Sequence, residues 1–470
     1  MMACGRRVGT MMALSLFLGG AGASPGHAQR LQEPPVDDGS SAPAAEAALA
    51  RCGTCIERRV GVAALQVVAI NLLAVTLNRF YYGTGVDPAT WKLNFERGFA
   101  WDSNLFRANY LEHPIAGSSF LNAGRSNGMG YWESIPLVVG GSLMFEYTGE
   151  SQRPSSNDFI TTTMGGITLG EALYRLSSLV LDNRATGSSR VVREIGAAII
   201  NPVRGFNRLI YGRMGAVGPN HFERHPPYLA MRLNGGARRL ASGSSLDNGS
   251  TSAFLEFNVT YGDPMDPRVR KPFQAFRFTA QISNGVDRSI DRLRVEGNLY
   301  GVDIRRGPGI RHKMVLSLEY DFNLNSEYRY GQNSLNAGVL SHWPLAGAWS
   351  LRTNATVEAI PFGAVSTGQV ANRGYDFGVG AGVRLAVQLF HRRRPLVEIG
   401  YKAVWLSTVN GVNNEHAVQF WAARAVIPLV QGFGLGADGV LFLRDSQAGA
   451  LPGVGQRSPQ LRLYGSWSLQ

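Results

Sequence analysis

From residue 228 to the end, the chain alternates apolar and polar side chains in runs of about ten to fifteen residues. In "FLEFNVTY" (254–261), Leu255, Phe257, Val259 and Tyr261 alternate with Glu256, Asn258 and Thr260. In "AFRFTAQIS" (275–283), Phe276, Phe278, Ala280 and Ile282 alternate with Arg277, Thr279 and Gln281. A period of two places each set on its own face of a strand. The pattern recurs near 228–241, 290–302, 312–322, 333–343, 348–359, 374–389, 395–406, 417–427, 432–443 and 459–469, which makes about twelve runs. Strands of soluble sandwiches typically have about five or six residues. Runs of this length suit a tilted strand that crosses a membrane.

The connections agree. After 344, "PLAGA", "HRRRP" and "PLVQG" are short and alternate with the longer "PFGAVSTGQVANRG", "STVNGVNNEH" and "DSQAGALPGVGQRS". Outer-membrane barrels have short periplasmic turns, long outer loops and an even strand number. The last strand, "QLRLYGSWSLQ", alternates to the end, although Gln470 stands where such barrels usually finish on an aromatic residue. Tyr320, Trp343, Tyr401 and Trp405 suit interfacial belts. The expected fold is mainly β with an α part: an antiparallel outer-membrane β-barrel of about 12 strands over 225–470, preceded by a helical plug or cap.

The first 28 residues carry Arg6 and Arg7, an apolar run and small residues, the layout of a secretory signal peptide. Residues 29–50 are rich in Pro, Ala, Ser and acids without an apolar period, as in a flexible linker. Cys52 and Cys55 in "RCGTCI" suit a disulfide in an exported chain; Ile56 stands where haem attachment needs histidine. A mean hydropathy of −0.07 excludes a polytopic helical membrane protein. The net charge of +12 is spread over scattered arginines, which speaks against a nucleic-acid partner.

Residues 51–215 read as helical. "VGVAALQVVAINLLAVTL" (60–77) has the length of a membrane span, but Gln66, Asn71 and Thr76 interrupt it, which favours a helix buried in protein or lodged in a lumen. "GEALYRLSSLVLDNR" (170–184) places Leu173, Leu176 and Val180 on one stripe with Leu169, and Glu171 and Arg175 as an i,i+4 pair opposite. This predicts a helix packed on one face. Pro202 breaks a further helix over 193–213.

Within this zone "WDSNLFRANYLEHPIAGSSFLNAGRSNG", "ESIPLVVGGSLMFEY", "PSSNDF", "TTTMGGITLGEALYRLSSLVLD" and "INPVRGFNRLIYG" follow one another over about 70–215. Together they resemble the bacterial domain of unknown function 3943 family. The resemblance implies a Gram-negative envelope protein and brings no activity.

Two readings compete for the ionisable residues. An envelope lipid- or glycan-modifying hydrolase or acyltransferase would use His113 as general base, Glu146, Glu150 or Asp158 to orient it, and Ser118 or Ser119 as nucleophile. The preferred reading is structural: Arg125, Glu133, Glu146, Glu150, Asp158, Glu171 and Arg175 pair among short helices or with a polar lumen, and "PSSNDF" caps a helix. Metal binding by His113 with the carboxylates is conceivable, but a second histidine in helical register is missing, so no metal and no cofactor are assigned. The function expected is structural, or passage or binding of a solute or lipid through a plugged lumen. The partners expected are outer-membrane lipid, including lipopolysaccharide, and the barrel-insertion machinery.

Overall fold

A computed structural model describes residues 56–470, apart from 84, 286–289, 306–308, 367–373, 393, 411–413, 431, 449–452 and 470. The expected signal peptide, the linker and the Cys52 and Cys55 pair lie outside the described residues.

The alternating runs become β1 (Leu229–Leu240), β2 (Ser250–Tyr261), β3 (Phe276–Ser283), β4 (Ile290–Arg305), β5 (Arg311–Leu324), β6 (Arg329–Pro344), β7 (Trp349–Ser366), β8 (Tyr375–His391), β9 (Arg394–Thr408), β10 (Asn414–Val430), β11 (Phe433–Ala448) and β12 (Val454–Leu469). Each pairs antiparallel with its neighbours, and β12 returns to β1, with Leu233 opposite Trp467, to close the barrel. This is the expected architecture. Both barrel termini lie at one end, the terminal end; the connections after β7, β9 and β11 lie at the other, the loop end.

The charged residues of the alternation point inward, because they pair between strands that are not neighbours. Arg384 of β8 meets Glu296 of β4 at 2.8 Å. Arg462 of β12 meets Glu256 of β2 at 2.7 Å, and Arg424 of β10 meets the same carboxylate at 3.3 Å. Lys402 of β9 lies 3.4 Å from both Glu319 of β5 and Glu358 of β7. Beside this lattice Tyr330, Ile360, Val404, Leu406, Val418 and Phe442 form an apolar layer inside the lumen. The lumen is filled by its own side chains.

The helices are α1 (Val60–Tyr82), α2 (Pro88–Arg97), α3 (His113–Ser126), α4 (Tyr131–Thr148), α5 (Ser156–Ile160), α6 (Gly166–Val180), α7 (Gly187–Ile200) and α8 (Pro202–Ile210). They do not plug the lumen. Phe276, Phe278, Val295, Tyr320, Phe322, Tyr375 and Phe377 alternate with the inward charges and so face outward, yet all are buried in one core with helical residues. Phe106 stacks on Phe322 at 5.5 Å, Tyr110 on Phe362 at 5.4 Å, and the Tyr131 ring lies 5.5 Å from that of Phe273. The Tyr320 hydroxyl donates to the Tyr110 carbonyl. The expected plug is therefore corrected: the helices cover the outer wall. A lumen bridged by paired charges and packed with its own apolar layer offers no space for helices, whereas the outer face between β2 and β8 offers apolar area to cover.

Two further expectations change. In α1, Gln66 accepts from Asn127 at 2.7 Å and Asn71 donates to the Gly141 carbonyl at 3.3 Å, so one side is held by protein. The other side is open, with Leu65 67% and Phe80 81% exposed, so α1 is not the buried or lumenal helix its polar residues suggested. Conversely α6, expected to pack on one face, is buried on nearly every side because it lies between α3 and the wall. The break at Pro202 falls where expected, between α7 and α8.

Candidate functional site

Two short π-helical turns, Ala108–Glu112 and Thr161–Gly165, frame the site. Such turns widen a helix by one residue and often stand at functional positions. The first delivers His113 at the start of α3, with Pro114 in the first turn, where its missing N–H costs nothing. The second follows α5, whose N-cap Ser155 accepts from the Asp158 amide at 3.2 Å, the capping expected of "PSSNDF". Glu146 and Glu150 arrive from the end of α4, and the Ser155 amide donates to Glu146 at 2.7 Å.

His113 Nε2 lies 3.3 Å from Asp158 Oδ2, with the imidazole 14% exposed and the carboxylate fully buried. His113 Nδ1 lies 3.1 Å from Thr162 Oγ1, which fixes the ring. Asn104 donates to Asp158 at 2.7 Å, and Asn157 donates to both Asp158 and Asp102. Donor atoms of His113, Glu150 and Asp158 all lie within 4.8 Å of one another. Burial opposes charge on His113, but Asp158 outweighs it and raises the imidazole to about 10. Burial likewise lifts Asp158, yet His113 turns the balance and holds it below the usual carboxylate range. Glu150 is pushed up to about 7 by burial and by Asp158. Asp102 is raised for the same two reasons.

The serines do not join this cluster. Ser118 Oγ donates to the Ile115 carbonyl at 2.7 Å and Ser119 Oγ to the same carbonyl at 3.2 Å. Five residues along a helix also turn Ser118 away from His113. Nucleophile and base are thus not assembled.

The expected polar network divides. Arg125 binds Glu171 at 2.8 Å, Arg175 binds the same carboxylate at 2.9 Å, and Arg125 also binds Glu223 at 2.8 Å. Glu223 was not anticipated; it stands in a short turn between the helices and β1, with no sequence signal. Glu150 belongs to the His113 cluster instead, and Glu133 accepts from the Gly130 amide at 2.8 Å as an exposed cap of α4. At the terminal end of the barrel a cavity of about 510 Å³ is lined by Arg268, Arg311, Arg352, Arg392, Asp263 and Asp266, among others.

Comparison with known proteins bears on the helices first. Residues 98–203 match the family described as Domain of unknown function (DUF3943). The match is narrower than the 70–215 of the sequence resemblance, and it contains the whole His113 cluster and the Arg125, Glu171 and Arg175 network. No curated protein matches the chain. Solved structures similar to it include the outer membrane channel DcaP of Acinetobacter baumannii, at 11% identity over 52% of this chain and 96% of that one, TM-score 0.26. The NanC porin is 10% identical over 51% of this chain and 100% of its own, TM-score 0.26. OpdL of Pseudomonas aeruginosa is 11% identical over 51% and 98%, TM-score 0.21. Overlap at these scores is slight, and the barrel stands on its own strand pairing.

Proposed function

We propose that the chain is an outer-membrane barrel, closed to free diffusion, that anchors the DUF3943 helices on its lipid-facing wall. The role is structural or one of ligand binding, not that of an open pore. The observation that carries this reading is the division of the two barrel faces. Ion pairs cross the lumen from β8 to β4 and, fully buried, from β12 to β2, while the helices rest on the outward residues Tyr320, Phe322 and Tyr375. An open pore would keep such lumenal groups wet. Arg462 and Glu256 are instead almost fully buried.

The outer surface supports a bilayer setting. Val357 and Val383, on the parts of β7 and β8 that the helices leave open, and Ile399, Trp405, Ile427 and Leu461 on β9 to β12 are outward and exposed. The exposed side of α1 continues this belt: its 22-residue apolar span is long enough to cross a membrane. The Arg59 amide at the start of α1 donates to the Asn127 carbonyl, near the terminal end. Beyond its far end Trp91 donates to the Thr148 carbonyl, towards the loop end. Lipid, including lipopolysaccharide in the outer leaflet, is the partner that such a surface fits, and the barrel-insertion machinery is the partner needed in assembly. In the cavity at the terminal end Arg352 pairs with Asp263 at 2.9 Å and Arg268 with Asp266 at 2.7 Å, so Arg311 and Arg392 are the cationic groups that a small anionic solute would meet. The nucleophiles of the hydrolase reading, Ser118 and Ser119, both donate to the Ile115 carbonyl instead of to His113.

The test is fractionation with heat-modifiable gel mobility, followed by conductance in planar bilayers. The protein is expected in the outer membrane with a mobility shift and without a steady open-channel current. A steady current of porin size would refute the closed barrel, and recovery as a soluble periplasmic protein would refute the membrane setting.

A further inference from the structure

The carboxylates that face the interior of the helical domain fall into two classes. Glu171 and Glu223 each meet Arg125 at 2.8 Å, and Glu194 meets Arg208 at 2.6 Å and Arg190 at 2.8 Å. The cluster at the loop end differs. Glu146 and Asp158, both buried, and the half-buried Asp102 and Glu150 stand together with one imidazole, and among the described residues no arginine or lysine forms an ion pair with any of them. Buried charge is tolerated when it is paired or coordinates a metal. Here four acids face one histidine.

The geometry points to a divalent cation as the missing partner: we propose that His113, Glu150 and Asp158 ligate one first-row divalent ion of the zinc or manganese class. A nitrogen and carboxylate oxygens are the donors such ions take. Two ligands about 2.1 Å from an ion at a tetrahedral angle stand about 3.4 Å apart. The separation of His113 Nε2 and Asp158 Oδ2 is 3.3 Å. The surrounding groups fit the same role. Thr162 fixes the imidazole through Nδ1, leaving Nε2 directed at the acids, and Asn104 and Asn157 orient Asp158. The Glu150 side chain makes no hydrogen bond to another described residue, so it is free to complete the site. The cluster is at the loop end, since the Tyr375 hydroxyl at the start of β8 donates to the Asn104 carbonyl at 2.7 Å. Ser151, Gln152 and Arg153 beside it are exposed, which gives the ion a way in.

This inference stands apart from the closed-barrel reading, and either can fail alone. The experiment is calorimetric titration of the full chain in detergent, stripped with chelator, with zinc chloride and in parallel manganese chloride. Folding of each sample is verified by heat-modifiable mobility. One saturable site per chain is expected for at least one of the two ions. Glu150→Gln and Asp158→Asn should each weaken it tenfold or more, while the exposed Glu133→Gln keeps it. Should Asp158→Asn fail to fold, Glu150→Gln decides alone, because Glu150 holds no structural hydrogen bond. Absence of saturable binding of either ion by the folded wild type, or unchanged affinity in Glu150→Gln, would overturn the proposal.

Discussion

Arg125 holds more of the helical domain together than any other side chain of its network. It binds Glu171 and Glu223, donates to the Met129 carbonyl and lies 4.3 Å above the Tyr174 ring. Removing one partner of a buried pair strands the others, at about 3 to 5 kcal/mol. Arg125→Ala should therefore lower the unfolding free energy of the helical domain by that amount in equilibrium denaturation, while Arg58→Ala, an exposed pair, should change it little. Acid should act on the same network. Burial would lift Glu223, but His221, Arg175 and Arg125 hold it well below the usual carboxylate range. A depressed folded pKa gives stability that is present above the unfolded value of about 4.3 and lost as pH falls through the folded one. The helical domain should thus loosen below about pH 4, and Glu223→Gln should be weaker at neutral pH and flatter with acid. A parallel pH profile in that variant would contradict this. In the sequence Glu171 and Arg175 were legible through their i,i+4 spacing. Glu223 was not, since only the tertiary fold brings it to Arg125. The His113 cluster was legible in residue types alone; which acids reach the imidazole depends on two π-helical turns that no periodicity reveals.

At the scale of elements, the docking of helix on strand depends on close approach. Gly331 of β6 faces outward, and a Cβ there would run into the Tyr110 ring, whose neighbour Phe106 stacks on Phe322. Gly331→Leu should displace the helices from the wall and raise their protease sensitivity, leaving the heat-modifiable barrel intact. Unchanged protection would mean that the contact is unimportant. Gly117 of α3 meets Gly166 of α6 in the same manner, backbone against backbone. The strands were legible because a period of two over ten to fifteen residues has few other meanings. What the alternation cannot distinguish is an outward face that meets lipid from one that meets helices, because both partners select apolar side chains. Tyr320 and Trp405 therefore look alike in the sequence, yet Tyr320 is buried under the helices and Trp405 is 47% exposed. The same ambiguity concealed α1, where Gln66 and Asn71 signal protein on one side and say nothing of the other.

For the molecule as a whole, the division of labour is between a lumen closed by charge and a wall that carries the helices. Breaking the closure tests the first half: Arg384→Ala together with Arg462→Ala removes bridges from β8 to β4 and from β12 to β2, and should admit ion current that the wild type lacks. The seat of the helices on the outer wall can be read by cross-linking. Tyr110→Cys should be joined by a short bifunctional thiol reagent to Phe362→Cys, which faces outward, and not to Gln332→Cys, which faces the lumen and is fully buried beside Glu358. Efficient joining of position 110 to position 332, with none to 362, would place the helices inside the barrel instead of on its wall.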